Sequence, residues 1–300
     1  MDRIGRPGFL ALALLAPLGC ADKRSEMIST GTRAENVDTL DAESTELLSD
    51  VKRDVTLSFS LGDTKKTLKV SALLERFDAR ELVVSDPNFK TEKRFVGIPL
   101  LPVLELGFGK SAESLRDARL VFEALDGYAS PVDGEIVTRS GGFLAFDDLD
   151  VPGWAAIGEK RADPAPLYVV WTGEARDPKV YPWPWALRTV RIASEDEYAA
   201  ASPGEDASEL ARRGHTLFLG GCVRCHAMNR AGGRLGPELN VPKNIVEYRP
   251  EAQIRAYIRN PMQFRYGNMP ANPHLSDADL DALIAYFRVM KDRKQDPRGM

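Results

Sequence analysis

Cysteine and histidine are scarce in this chain, with 3 of each among 300 residues. So few cysteines exclude a disulfide-dense scaffold and any four-cysteine zinc or iron–sulfur site. Residues 51–200 contain neither type, so this long middle stretch offers no thiolate or imidazole to a metal. An excess of positive charge is missing too. The 40 Lys and Arg stand against 44 Asp and Glu, a net charge of −4, which weighs against a nucleic-acid binder. No apolar run reaches the ~20 residues that span a bilayer as a helix. What is present is ordinary globular usage, 43% apolar and 28% charged, on a length that suits about two domains.

At the amino terminus Arg3 and Arg6 precede the run Phe9-Leu10-Ala11-Leu12-Ala13-Leu14-Leu15-Ala16, and Pro17-Leu18-Gly19-Cys20 follows. A basic region, a short apolar region and a small residue before a cleavage point make residues 1–19 a secretory signal peptide. With Gly19 just ahead of Cys20, this end resembles the bacterial lipoprotein box, although Pro17 stands where that box has an aliphatic residue. The resemblance implies lipidation of Cys20 and a membrane-anchored protein on the periplasmic side. An ordinary signal cleaved nearby is the other reading. Residues 20–50 are rich in Ser, Thr, Asp and Glu and hold no aromatic residue, which predicts a flexible tether.

The other two cysteines lie in Cys222-Val223-Arg224-Cys225-His226, the C-x-x-C-H pattern of c-type haem attachment. Two thiols three residues apart reach the two vinyl groups of one haem, and the adjacent imidazole then lies beneath the iron. A redox dithiol would not need the following histidine. A zinc site would need a second pair at His-x₃₋₅-His spacing, which His215, His226 and His274 do not offer.

The flanks carry helical signals. Ser208 is a candidate N-cap for a helix with Leu210, Gly214, Leu217 and Phe218 on one face. A second helix is predicted over residues 251–260, between Pro250 and Asn260-Pro261, with Ile254, Tyr257 and Ile258 inward. A third opens at Ser276, with Asp279 three residues on, and runs through Leu280, Leu283, Ile284 and Phe287 to about Lys291. Together with Gly236-Pro237 and Met269-Pro270, residues 207–295 resemble a single-haem cytochrome c domain. The resemblance implies one covalently bound haem c, with Cys222 and Cys225 as thioethers. It also implies His226 and Met269 as the axial iron ligands, and Pro237 as the carbonyl donor to the proximal imidazole. Met228 sits too near His226 to cross to the other haem face, while Met262, Met290 and Met300 are expected to be structural. His215 is expected at the surface and His274 in a solvated loop.

In residues 51–200, Val55, Leu57, Phe59 and Leu61 alternate with polar residues and predict a strand that turns at Gly62-Asp63 into 67–70. Strands are also predicted around Leu82-Val83-Val84, Leu120-Val121-Phe122, residues 167–171 and residues 187–192, with short helices at 72–77 and 100–106. A mixed α+β domain is the expectation. Phe95-Val96-Gly97-Ile98-Pro99-Leu100, then Val103-Leu104-Glu105, then Phe122-Glu123-Ala124-Leu125-Asp126-Gly127-Tyr128 resemble the molybdopterin-binding domain of the sulfite oxidase family. That family ligates molybdenum through a cysteine, and this region has none, so no catalytic residue is carried over. Tyr181-Pro182-Trp183-Pro184-Trp185 is expected to be a stiff loop that fills the core, and Gly141-Gly142 a turn.

Charge is divided. From residue 207 onward there are 15 basic and 9 acidic residues, against 23 and 34 in residues 21–206. Opposite signs favour docking of the two halves or steering of an external partner. The chain is therefore expected to be a multi-domain, exported electron carrier with an α+β domain and an all-α cytochrome domain. Redox proteins and a membrane would be its partners, and electrons would leave near Cys222 and Cys225. The alternative is an oxidoreductase subunit whose middle domain binds a cofactor or substrate and feeds the haem.

Overall fold

The computed structural model describes residues 38–39 and 54–296, apart from 174–176, 179, 195, 266 and 268. The signal peptide, Cys20, Met300 and nearly all of the tether lie outside the described residues.

The strands of the first domain are β1 (Asp38–Thr39), β2 (Thr56–Leu61), β3 (Thr64–Lys69), β4 (Arg80–Asp86), β5 (Thr91–Pro99), β6 (Arg119–Ala124), β7 (Ala129–Asp133), β8 (Gly142–Asp148), β9 (Tyr168–Trp171) and β10 (Leu187–Ile192). They form two five-stranded sheets, ordered β1-β4-β5-β8-β9 and β3-β2-β10-β6-β7. Only β2 and β10 pair in parallel; the other pairs are antiparallel. The alternation in β2 works as its sequence indicates, with Leu57 and Phe59 buried and Leu61 exposed at the strand end. β3 is a lysine-bearing edge, as a strand that must not recruit another chain tends to be. The predicted strand at 67–70 gives way at Val70, which buries its side chain as the first residue of α1 (Val70–Leu74). The helix predicted at 72–77 is this earlier and shorter one.

α2 (Leu100–Phe108) places Leu100, Val103 and Leu104 in one core that both sheets share, and its Phe108 meets Phe59 edge-on at 5.3 Å. The aromatic loop fills that core. Pro182 carbonyl accepts the Trp171 indole N–H at 2.8 Å, Pro184 carbonyl accepts the Val169 amide at 3.0 Å, and Trp183 lies 6.2 Å from Tyr168. Two buried polar pairs link strands of the first sheet. Tyr168 donates to Asp86 at 2.8 Å while accepting from Asn88, and Lys93 bonds Asp148 at 2.8 Å.

The second domain is helical. α5 (Glu209–Gly220) is capped by Ser208, whose hydroxyl accepts the Ala211 amide at 3.2 Å; the short helices α3 (Ala112–Arg116) and α4 (Gly134–Val137) precede it in the first domain. It is followed by α6 (Ile245–Tyr248), α7 (Glu251–Arg259) and α8 (Asp277–Lys291). Ser276 and Asp279 form the reciprocal cap of α8. α5 and α8 cross so closely that a Cβ on Gly214 would lie 2.0 Å from the Ala282 carbonyl oxygen. Phe218 packs on Tyr286 at 5.5 Å beside this crossing. The core of this domain also draws in Tyr198, Ala200 and Ala201, upstream of residue 207, because the buried Tyr286 hydroxyl needs an acceptor and finds Ala201 carbonyl at 2.6 Å.

Candidate functional site

α5 ends at Gly220, and the chain tightens into a 3-10 turn over Cys222–Arg224. With three residues per turn, positions i and i+3 eclipse, so Cys222 and Cys225 come to one side. The amides of Cys225 and His226 both donate to Cys222 carbonyl, at 3.1 and 2.8 Å. Burial pushes both thiols up to about 11, so both are neutral at pH 7.

His226 lies against the loop Gly236-Pro237. Its Nδ1 is 2.8 Å from Pro237 carbonyl oxygen. That contact assigns the proton to Nδ1 and leaves Nε2 as the nitrogen with a free lone pair. Gly236 is needed at this point, since a Cβ there would lie 2.5 Å from the imidazole Cε1. Burial lowers the His226 pKa, which favours the neutral imidazole that ligation needs.

Loop 227–244 beneath the imidazole is held by a buried amide ladder that the sequence reading missed. Asn244 donates to Asn240 and Asn240 to Asn229, each at 2.7 Å; the ladder ends on Phe287 and Ala200 carbonyls. Glu238 accepts four backbone amides of the same loop, those of Asn229, Arg230, Asn240 and Val241. Three asparagines amid apolar neighbours were the available signal, but Asn reads as turn or surface in a single sequence.

A cavity of about 560 Å³ opens beside the turn, lined by Leu217, Cys222, His226, Tyr257, Met269 and Leu283 among others. It brings together every haem-site residue named from the sequence within 207–295: Cys222, Cys225, His226, Pro237 and Met269. The donor set suits a haem. An apolar cavity holds two thiols on one turn, an imidazole with its second nitrogen committed, and a thioether. Among the described residues, no three His, Cys, Asp or Glu gather as a zinc site would require.

Other placements differ from expectation. His215 is not a surface residue. Next to Gly214 in the tight α5–α8 crossing, it lies half-buried over Tyr286 at 5.4 Å, and burial lowers its pKa. Met262 does not pack in the core; it is 46% exposed near the exposed Phe264. Met228 and Met290 are buried, and His274 is exposed at the rim of the cavity. β7 of the sheet domain approaches the Cys222–Arg224 turn, whose Cys222 and Cys225 remain partly exposed.

A second cavity of about 960 Å³ separates the polar face of the second sheet (Ser58, Ser60, Thr189) from the loop that follows His226. Its carboxylates Glu123 and Glu197 are engaged by Arg191. Lys65, Arg188 and Arg234 face the same space.

Residues 209–287 match the family model of cytochrome c oxidase, cbb3-type, subunit III. The C-terminal region is a cytochrome c domain. Such a domain binds haem and exchanges electrons with redox partner proteins. The chain is also 36% identical over 110 residues to cytochrome c oxidase subunit 2 of Alkalihalophilus pseudofirmus, an alignment covering 32% of this chain and 32% of that protein. The chain thus matches about a third of that relative's length. Among the described residues, no helix is long and apolar enough to cross a membrane.

Proposed function

We propose that this chain is an exported, lipid-anchored c-type cytochrome that moves single electrons through one haem c. Cys222 and Cys225 would hold the haem as thioethers, and His226 and Met269 would ligate its iron. The observation that carries this reading is the convergence of those four side chains on one apolar cavity. When bound, the haem supplies a one-electron ferric–ferrous couple.

The chain's own residues account for the rest. Pro237 carbonyl accepts from His226 Nδ1–H, fixes the tautomer and aims Nε2. A thioether partner and apolar walls disfavour the extra charge of the oxidised state and raise the potential. With both His226 and Met269 committed to the iron, the site would favour a carrier over a catalyst. Arg3, Arg6, the apolar run of residues 9–16 and Gly19-Cys20 support export and anchoring at Cys20. The cytochrome oxidase names of the similar proteins support a respiratory redox partner.

For residues 51–200 we propose the molybdopterin-domain fold of the sulfite oxidase family, without its metal-ligating cysteine, acting as a docking module. The mixed two-sheet architecture and the quoted segments support this reading. A second reading, in which this domain binds a small molecule and passes electrons to the haem, has the 960 Å³ cleft in its favour.

Met269→Ala tests the ligand set. The oxidised variant is expected to lose its sulfur–iron charge-transfer band and its low-spin spectrum; an unchanged spectrum refutes the assignment. Metal and pterin analysis of the purified protein separates the two readings of the middle domain. Haem iron alone supports the carrier, and stoichiometric molybdenum supports the oxidoreductase.

A further inference from the structure

The sheet domain touches the haem-motif segment through a tight turn. Between β6 and β7, Gly127 takes φ +91°, a conformation that favours glycine. Its carbonyl accepts the Arg234 amide at 2.8 Å. A Cβ on Gly127 would lie 3.1 Å from the Arg234 carbonyl carbon and 3.2 Å from Leu235 N. The turn is itself braced: Leu125 amide donates to Ala186 carbonyl at 2.9 Å, and Asp126 accepts the Tyr128 amide at 2.9 Å. The sheet domain also meets the motif where β7 approaches the Cys222–Arg224 turn, and elsewhere the 960 Å³ cleft lies between the sheet face and the loop after His226; of these contacts the turn is the one that reaches residues 234–237.

Two residues beyond Arg234, Gly236 donates to Cys225 carbonyl at 2.7 Å and rests against the His226 ring. The next residue, Pro237, supplies the oxygen 2.8 Å from His226 Nδ1. The route from Gly127 to the imidazole therefore runs along four consecutive residues, 234–237, with a hydrogen bond at each end.

We propose that the turn Leu125-Asp126-Gly127-Tyr128 is a positioning element by which the sheet domain sets the bond between His226 Nδ1–H and Pro237 carbonyl, and through it the redox potential. This rests on the reading of His226 as an iron ligand. A firm bond at Nδ1 makes the imidazole a stronger donor and favours the oxidised state. Loosening the loop weakens that bond and raises the potential.

The test uses the full-length holoprotein with Gly127→Ala, and Gly62→Ala as control. Gly62 is also a positive-φ turn glycine of the sheet domain (+54°), but nothing lies within 4 Å of its would-be Cβ. Alanine at 127 must push Arg234 and Leu235 by a few tenths of an ångström. The expected result is a roughly threefold shift in favour of the reduced form, ~30 mV upward at 59 mV per tenfold for one electron, with Gly62→Ala unchanged. Equal potentials in all three proteins, or a downward shift at 127, overturn the proposal. A wild-type preparation without haem overturns the function reading instead and is seen first, in the haem spectrum. Should Gly127→Ala not fold, hydrogen exchange on the wild type decides. The Arg234 amide is expected to be as protected as that of Gly236, and an unprotected Arg234 amide removes the clamp.

Discussion

Gly214→Ala tests the helix crossing that carries the haem motif. The new methyl carbon would start 2.0 Å from Ala282 carbonyl oxygen, 2.6 Å from its carbon and 2.7 Å from Tyr286 Cβ, where ordinary contact begins at 3.4 Å. α5 must therefore back away from α8. A radial gap of even ~0.5–1 Å forfeits a quarter to a half of each dispersion contact, and Phe218, Leu283 and Tyr286 are all within 1% of full burial. Overpacking of this kind costs about 3 kcal/mol, at the upper end of the usual range. Helix propensity returns ~1 kcal/mol for Gly to Ala. The net is ~2 kcal/mol of destabilisation, roughly a 10 °C fall in Tm for a domain of this size. Because α5 leads straight into Cys222, covalent haem loading should fall as well. Thermal unfolding followed by haem absorbance measures the first effect, and haem content per protein the second. Gly220→Ala, on the same helix with nothing within 4 Å of its Cβ, should be no less stable than the wild type. A Gly214→Ala protein as stable as the wild type would refute the packing argument.

Asn240→Ala breaks the middle of the buried amide ladder and leaves Asn229 and Asn244 each short of one partner. About 2–3 kcal/mol should be lost from the cytochrome domain in denaturant unfolding; a change under ~0.5 kcal/mol would show that the ladder carries little. Burial raises the Asp86 carboxyl above the ordinary aspartate range, outweighing its hydrogen bonds from Phe89, Tyr168 and Asn88. The folded sheet domain then holds that proton more tightly than the unfolded chain. Its contribution to stability is full below the ordinary aspartate pKa and falls as pH rises through the raised one. Asp86→Asn should remove that part of the slope in urea unfolding followed by tryptophan fluorescence. All four tryptophans, Trp154, Trp171, Trp183 and Trp185, report on this domain. Identical slopes would contradict the assignment.

Local signals were legible wherever chemistry and period coincide within a few residues. The Ser208 and Ser276 caps, the helix between Pro250 and Pro261, and strands β2, β6 and β10 could be read directly, because capping and alternation are short-range. β5, β7 and β8 were missed as strands. β5 is buried along its C-terminal half and β8 along most of its length, so neither alternates cleanly. His215 was misplaced because two flanking arginines suggest a solvated face, whereas the close approach of α8 at Gly214 covers it.

The sequence by itself determined the C-x-x-C-H motif. Cys222, Cys225 and His226 lie within five residues, and bond lengths along the chain keep them together in any fold. It also determined that no cysteine remains for molybdenum in the middle domain. Only the tertiary structure decided which surfaces meet: Met269 with His226 in one cavity, the asparagine ladder under the loop, and Gly127 against Arg234. Apart from Asn240 and Asn244, four residues apart, those pairs are separated by 11 to over 100 residues, and nothing local records which turn of one domain will touch which loop of another. Packing both domains to full density around the closing contacts makes that choice.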